Sequence, residues 1–206
     1  MNFERLILAS ASPRRRELLA SAGLTCEVVV AGIDERPQWG ELPLAYAARN
    51  AREKAVFVAQ NDPLKTARAV VLAADTIVVS AQNQILEKPR DAAHARQMLQ
   101  ALSDKTHSVV SGYALVNGTT GEILECQTVQ TLVLFRALSA LEIDIYIATG
   151  EPFDKAGSYG IQGKAAHFVR ALDGSYTNVV GLPLAEVVVA LQRYFVSSTF
   201  RNVTPT

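Results

Sequence analysis

Three consecutive arginines, residues 14–16, follow a Ser-Pro pair near the start of the chain. Ser12 and Pro13 are typical of a helix N-terminus, because serine caps free N–H groups and proline is tolerated at the first helical position. Arginines in the first turn interact unfavourably with the positive end of the helix dipole, unless a bound anion offsets their charge. Phosphate is the natural anion for this position, because free backbone N–H groups and arginine guanidinium groups both donate hydrogen bonds to it. Alternatively, the arginines are solvated or paired with Glu17. The spacing leaves both interpretations open.

A carboxylate interrupts the most apolar segment of the chain. Asp75 and Thr76 lie within residues 69–79, where the other nine side chains are aliphatic. An ionised carboxylate is costly in such a segment unless it is paired, hydrogen-bonded or open to a cleft. A carboxylate held in that way is a candidate general base. Alternatively, Asp75 caps a turn between two short strands.

Further groups suited to phosphate chemistry are dispersed along the chain. Glu35 lies in a predicted loop, Lys54 on a predicted helix, and Lys88 in the sequence Glu87-Lys88-Pro89-Arg90. Taken singly, each is more readily interpreted as a surface charge. Together with the arginines, the two lysines have the charge needed to hold a triphosphate. The sequence does not show whether they converge.

Residues 157–163 form a glycine-rich segment, which is a further candidate for contact with a ligand. Glycines let a backbone approach a ligand closely, and Tyr159 and Gln162 offer a ring for stacking and an amide for hydrogen bonds to a base. A plain turn is the simpler interpretation of one such segment. It lacks the G-x-G-x-x-G pattern of dinucleotide-binding folds, and the chain has no G-x-x-x-x-G-K-S/T loop and no G-x-S-x-G elbow.

Composition and charge exclude several classes of protein. The chain has 20 Lys and Arg residues and 20 Asp and Glu residues, so its formal net charge is zero. This charge balance argues against sequence-independent binding of nucleic acid, which requires an excess of basic residues. The three histidines and two cysteines have no zinc-binding spacing, and Cys26 and Cys126 are expected to be free thiols. No apolar stretch approaches the roughly 20 residues that span a bilayer, and the first residues do not resemble a secretion signal. We therefore expect a cytoplasmic protein without a membrane or nucleic-acid partner.

The elements that must position these groups can be predicted from periodicity and capping. Strands are predicted at residues 6–9, 26–30, 69–79, 109–116, 122–135 and 167–172. Helices are predicted after Ser12, over residues 44–60, after Asp91, after Ser139 and from Gly181. Strands and helices mix without strict alternation, and a hairpin around residues 117–121 requires antiparallel pairing. The sequence therefore predicts an α/β fold with a mixed sheet.

Several ungapped blocks, in this order, resemble the Maf family of nucleotide pyrophosphatases. They are Ser10-Ala11-Ser12-Pro13-Arg14-Arg15, Ala51-Arg52-Glu53-Lys54-Ala55, Ala74-Asp75-Thr76-Ile77-Val78, Glu87-Lys88-Pro89, residues 154–163 and Val180-Gly181-Leu182-Pro183-Leu184. The match runs from about Leu6 to Leu191. By resemblance, residues 1–196 form one domain with an elongated mixed β-sheet between two α/β lobes around a cleft, an inosine-triphosphatase-like architecture. Residues 197–206 are expected to be a flexible tail.

The resemblance implies a role for each matching residue. Asp75 would be the general base or a metal-bound carboxylate, and Glu35 would help to hold the metal. Five residues would bind the phosphates: Ser10, Arg14, Arg15, Lys54 and Lys88. Three would tune the choice of base: Arg15, Thr76 and Gln162. Without a Cys/His cluster, the metal is expected to be a hard divalent cation, Mg²⁺ or Mn²⁺.

Three positions resemble the dTTP/UTP branch of the family rather than its 7-methyl-GTP branch. They are Arg14 in place of Trp, Ala74-Asp75-Thr76 in place of Ser-Asp-Gln, and Ile161-Gln162-Gly163 in place of Ser-Glu-Gly. The branch implies hydrolysis of dTTP and UTP to the monophosphate and pyrophosphate, house-cleaning of nucleotide pools, a homodimer and a link to cell-division arrest. Two alternatives remain: the same chemistry on CTP or modified pyrimidine triphosphates, and a nucleotide-binding regulator of cell division without turnover.

Overall fold

The structure, a computed structural model, describes residues 3–61 and 63–195. The predicted tail at residues 197–206 lies outside these residues. The described strands are β1 (Arg5–Leu8), β2 (Glu27–Val28), β3 (Ala69–Val79), β4 (Ile85–Leu86), β5 (Thr106–Asn117), β6 (Ile123–Phe135) and β7 (Val169–Asp173). The described α-helices are α1 (Pro13–Ser21), α2 (Pro43–Asn61), α3 (Pro63–Thr66), α4 (Ala92–Leu102), α5 (Ala140–Ala148), α6 (Tyr176–Val180) and α7 (Leu184–Gln192).

The strands form one mixed sheet in the order β2-β1-β3-β5-β6-β7, with β4 paired to β3. Strand β1 runs parallel to β2 and to β3, whereas the β3–β4 and β6–β7 pairs are antiparallel. The predicted hairpin is present, and Asn117 N donates 2.8 Å to Glu122 O where β5 turns into β6. The expected α/β fold with a mixed sheet is therefore confirmed.

The predicted strand at residues 69–79 is confirmed, and β3 continues through Asp75 and Thr76 without a break. The alternative interpretation, in which Asp75 caps a turn between two short strands, is therefore wrong. The predicted strand at residues 26–30 is reduced to Glu27–Val28, and helix α6 was not predicted. Two capping predictions are confirmed: the Asp91 side chain accepts from His94 N, and Ser139 forms a capping box with Glu142.

The chain divides into two compact units. Unit 1 comprises the described residues up to Asp75, Ser111–Thr128 and the described residues from Gly181 onward. Unit 2 comprises Thr76–Val110 and Val129–Val180. Among the described residues, unit 1 has two buried apolar clusters and unit 2 has one.

Alternation along β3 decides which way its carboxylate points. Val71 and Ala73 pack in the same cluster as Ala51 and Ala55 of α2. Because side chains two residues apart share one face of a strand, Asp75 lies on that face and points toward α2. The small side chains of α2 let the helix approach the sheet closely.

Candidate active site

Lys54 bridges two carboxylates in unit 1. Its Nζ atom donates 2.7 Å to Glu35 Oε2 and 2.8 Å to Asp75 Oδ1. Lys54 comes from α2, Asp75 from β3 and Glu35 from the loop between β2 and α2. Three predicted site residues from three segments therefore meet at one ammonium group. Taken singly, Lys54 was more readily interpreted as a surface charge, but it is largely buried, with 9% of its side chain exposed.

Asn50, one helical turn before Lys54, holds the other oxygen of the same carboxylate. Its Nδ2 atom donates 3.0 Å to Asp75 Oδ2. Asn50 is fully buried. Asn50 was not among the predicted site residues, although its spacing from Lys54 could have indicated it. The two residues are four positions apart and therefore share a face of α2.

The electrostatic surroundings keep Asp75 ionised. Burial by itself raises the pKa of Asp75, but the charge and hydrogen bond of Lys54, the hydrogen bond from Asn50 and the charge of Arg15 outweigh it. The net result is a pKa of Asp75 below its ordinary value of 3.8. A buried carboxylate that remains charged at neutral pH can accept a proton or bind a cation.

The loop that carries Glu35 is attached to α2. Tyr46 Oη donates to the backbone oxygen of Glu35, and Arg49 Nη2 donates 3.0 Å to the backbone oxygen of Arg36. Arg49 also forms a two-pronged ion pair with Glu41 at 2.7 and 2.8 Å, in which both side chains are about nine-tenths buried. This pair raises the pKa of Arg49 and lowers that of Glu41. Helix α2 therefore positions both carboxylates of the site.

The N-terminus of α1 contributes a second group of predicted residues to unit 1. Arg15 Nη1 donates 2.9 Å to Ser10 Oγ, and Arg15 Nε donates 2.9 Å to Gly181 O. Ser10 Oγ also accepts from Ser12 N at 3.2 Å. Burial lowers the pKa of Arg15, while Asp75 and then Glu35 act in the opposite direction. Arg15 is therefore within electrostatic reach of the carboxylate pair.

Two features of α1 favour an anion. Its N-cap, Ser12, makes no side-chain capping bond, and no acidic residue lies in the first turn. Arg14 Nε is buried without a hydrogen-bond partner among the described residues. Unsatisfied N–H groups and guanidinium donors at a helix N-terminus are the groups that bind phosphate.

The remaining predicted site residues, Thr76, Lys88 and Gln162, belong to unit 2. Thr76 is half-buried in β3 and, by alternation, lies on the opposite face from Asp75. Lys88 and Gln162 are both exposed. Within unit 2, Gly157 N donates 3.2 Å to Glu87 O, so the glycine-rich segment is attached beside Lys88.

Glycine is required at defined points of that segment. Gly157 has a φ of +66°, and a Cβ there would lie 2.9 Å from the Cβ of Val78. A Cβ at Gly163 would collide with the Glu151 carboxylate, which accepts from Lys164 N at 3.0 Å and from Tyr146 Oη at 3.1 Å. These contacts fix the turn that presents Gln162.

The suggestion that Tyr159 stacks on a base is wrong. Tyr159 is 6% exposed, and its ring packs on Phe135 with centroids 4.7 Å apart. Its hydroxyl is hydrogen-bonded to His107 Nε2 at 2.8 Å. Burial raises the pKa of Tyr159. An aromatic ring in a glycine-rich segment can serve a ligand or the core, and here the ring completes the core of unit 2.

Among the described residues, no group of three or more His, Cys, Asp or Glu side chains is arranged to hold a metal ion. None of the helices in the described part of the chain has the length and apolar character needed to cross a membrane.

Comparison with known proteins gives a consistent match. The family model described as Maf-like protein matches residues 5–194. A protein of Geobacter sulfurreducens named dTTP/UTP pyrophosphatase is 51% identical over 193 residues, covering 94% of this chain and 98% of the relative. Proteins with the same name are similar in Myxococcus xanthus, at 51% identity over 91% of each chain, and in Vibrio cholerae, at 48% identity over 94% of this chain and 100% of the relative.

Two solved structures match the chain at low sequence identity. A HAM1 protein from Coxiella burnetii is 17% identical, with a TM-score of 0.48 over 94% of this chain and 100% of that one. A nucleoside-triphosphatase / dITP/XTP pyrophosphatase from Mycobacterium abscessus is 21% identical, with a TM-score of 0.39 over 66% of this chain and 75% of that one.

Proposed function

Because the chain belongs to the Maf-like protein family, we propose that it is a nucleoside triphosphate pyrophosphatase acting on dTTP and UTP in the cytoplasm. The products are dTMP or UMP and pyrophosphate. The observation that carries this proposal is the ionised carboxylate of Asp75, held by Lys54 and Asn50 at its two oxygens. Binding a nucleotide requires cations only, whereas a buried carboxylate that its partners keep ionised can also accept a proton or bind a metal ion.

Asp75 is proposed to receive the proton of the attacking water. Water attacks the α-phosphorus, the bond to the bridging oxygen breaks, and pyrophosphate leaves. Asp75 accepts through lone pairs that Lys54 and Asn50 do not use, since an ionised carboxylate offers about four acceptor positions. Lys54 keeps the carboxylate charged when no substrate is present.

The phosphate groups are proposed to bind near the N-terminus of α1. Arg15 is held in place by Ser10 and by the backbone of Gly181, so its guanidinium is already oriented when a substrate arrives. Arg14 has a buried Nε without a partner among the described residues, which a phosphate oxygen would satisfy. Holding a triphosphate in a fixed geometry supplies much of the rate enhancement in phosphoryl chemistry.

The residues present fit a hard divalent cation shared with the substrate. Glu35 and Asp75 place two carboxylate oxygens within 2.8 Å of one cationic atom, Lys54 Nζ, so their negative charges converge. Mg²⁺ is commonly held by one or two carboxylates together with substrate phosphates, whereas a dedicated cage needs more protein ligands. When bound there, Mg²⁺ or Mn²⁺ would neutralise phosphate charge. Lys54 would then be free to turn toward a phosphate.

Lys88 is proposed to add a phosphate contact, and Thr76 and Gln162 to select the base. Gln162 supports this role by its exposure and by the fixed turn that carries it. Its amide offers both a donor and an acceptor, as does the imide edge of uracil or thymine. Sites that hydrogen-bond their substrate reject analogues that leave those groups unpaired.

A panel of nucleoside triphosphates, with Mg²⁺ and with Mn²⁺, tests the function. Nucleotide products and pyrophosphate are measured for dTTP, UTP, CTP, dATP and GTP, with excess EDTA as a control. We expect kcat/KM to be highest for dTTP and UTP, and no turnover with EDTA. A preference for CTP would keep the chemistry and change the substrate. Tight binding of dTTP without any product would instead favour the regulator without turnover.

Oxygen-18 water identifies the bond that is cut. If water attacks the α-phosphorus, the label appears in dTMP or UMP and not in pyrophosphate. Formation of dTDP or UDP with labelled orthophosphate would mean terminal hydrolysis and would refute the proposed reaction.

A further inference from the structure

Asn50 is a polar residue in a position where an apolar one would be expected. It is fully buried on α2, where its neighbour Ala51 packs into an apolar cluster with Ala55. Its Nδ2 atom donates to Asp75 Oδ2, while its Oδ1 atom is buried without a hydrogen-bond partner among the described residues. An unpaired buried acceptor costs stability, and a leucine of similar volume would avoid that cost. The cost points to a role other than packing.

We propose that Asn50 is a positioning residue that fixes the plane of the Asp75 carboxylate for the proposed reaction, on which this inference rests. The terminal torsion of an aspartate is broad and nearly two-fold, so one contact leaves the carboxylate free to turn. Lys54 donates one hydrogen bond to Asp75 Oδ1, and the same ammonium group also donates to Glu35. The bond from Asn50 to Oδ2 supplies the second contact, which defines the plane.

The same geometry separates this role from substrate binding. Asn50 has no exposed surface, so a nucleotide cannot touch it. Its effect must therefore pass through Asp75, whose remaining lone pairs point in a fixed direction only while both oxygens are held. Loss of Asn50 is expected to lower kcat and to leave KM near its original value, because the interactions that bind the triphosphate remain.

Asn50→Leu tests the proposal with dTTP and UTP as substrates. The parent protein is assayed first: if it releases no pyrophosphate from either nucleotide, the proposed function fails whatever Asn50 does. If it is active, we expect the variant to lose kcat by about 10–100-fold, as is typical when a supporting hydrogen bond to a reacting group is removed. Unchanged kcat in the folded variant would overturn the positioning role alone.

Asn178→Leu is the matched control. Asn178 is also fully buried, but in unit 2, where its Nδ2 atom donates to Val109 O and Thr131 Oγ1. Both variants are expected to lower the melting temperature, and only Asn50→Leu should lower kcat. Equal losses of kcat in the two variants would assign the effect of Asn50 to stability and reject the proposal.

A double-mutant cycle checks that Asn50 acts through Asp75. In the Asp75→Asn background, Asn50→Leu should have little further effect on residual turnover, because the group that it positions is already lost. Additive losses would contradict the proposal. If Asn50→Leu does not fold, Asn50→Gln and Asn50→Met form a second pair of matched shape. The Gln variant, which keeps an amide donor, should turn over faster than the Met variant, and equal rates would again reject the role.

Discussion

Lys54 Nζ lies 2.8 Å from Asp75 Oδ1, and about nine-tenths of each side chain is buried. Such a pair is a weak source of stability, because desolvation of both charges offsets most of their attraction. The pair matters for the charge state of Asp75. Burial by itself raises the pKa of this carboxylate, and the ammonium of Lys54 opposes that shift and keeps the carboxylate ionised. This pair therefore prepares the site for chemistry more than it strengthens the fold.

Removing the charge of Asp75 should abolish most of the activity. Asp75→Asn is expected to lower kcat for dTTP by ~10²-fold or more, as loss of a general base typically does. The fold should survive, because Lys54 keeps Glu35 as a partner. Pyrophosphate release and thermal unfolding are measured together. Asp144→Asn, a change in a partly exposed carboxylate paired with Arg96, is the control and should retain activity. Near-normal turnover by folded Asp75→Asn would refute the assigned role.

Gln162 should affect the choice of base and not stability. Gln162→Ala is expected to narrow the difference in kcat/KM between UTP and the purine triphosphates, because the amide that distinguishes the imide edge is lost. Its melting temperature should hardly change, since the side chain is exposed. Lys164→Ala, an exposed change in the same segment, is the control. A ratio of kcat/KM values identical to that of the parent would exclude a base contact from Gln162.

Gly157 should tolerate no side chain, whereas Gly150 should tolerate one at moderate cost. Both have positive φ, but a Cβ at Gly150 meets nothing within 4 Å, while one at Gly157 meets Val78 at 2.9 Å. Gly150→Ala is expected to cost about 1–2 kcal/mol for the left-handed backbone. Gly157→Ala should cost about 1–3 kcal/mol more, because it also overpacks the core.

Urea unfolding measures both free energies, and Val78→Ala provides the check. Combined with Gly157→Ala, it should restore part of the lost stability, because it removes the Cγ1 and Cγ2 atoms of Val78, each of which also lies 2.9 Å from the added Cβ. Made alone, Val78→Ala should destabilise the parent protein. Simple additivity of the two changes would show that the contact with Val78 is not the cause.

His107 should make the protein less stable as pH falls below neutrality. Burial lowers the pKa of His107 to about 4, from an ordinary value of 6.5. The unfolded chain therefore binds the proton more readily than the folded one. Between pH 6.5 and about 4 this group should remove stability, by about 3 kcal/mol at most for a shift of this size. The stability is fully present above pH 6.5.

His107→Gln isolates this contribution from the other titrating groups. Glutamine retains a hydrogen bond to Tyr159 and cannot take up a proton in this range. The free energies of unfolding of both proteins are measured in urea from pH 7.5 to 4.5. The parent should lose more stability than the variant as the pH falls. A constant difference across the range would show that His107 does not titrate differently in the folded and unfolded chains.

Local patterns were sufficient for most elements of the fold. The Asp91 and Ser139 caps were predictable because each bond joins residues three apart. The bounds of β3 were predicted to the residue, since a long aliphatic run requires burial on both faces. The alternative of a turn at Asp75 was wrong, because the partners that stabilise this carboxylate inside the strand, Asn50 and Lys54, lie elsewhere in the chain.

The sequence by itself determined the family and the mixed α/β fold, and the family resemblance implied phosphate chemistry for the blocks of basic residues around one acid. Tertiary structure decided which of these residues meet. It joined Glu35 and Asp75 through Lys54, gave Asn50 a carboxylate to hold, and buried Tyr159 in the core. Caps and periodicity depend on bonds within a few residues, whereas these contacts join residues 19 to 52 positions apart and depend on how α2, β3 and the core pack.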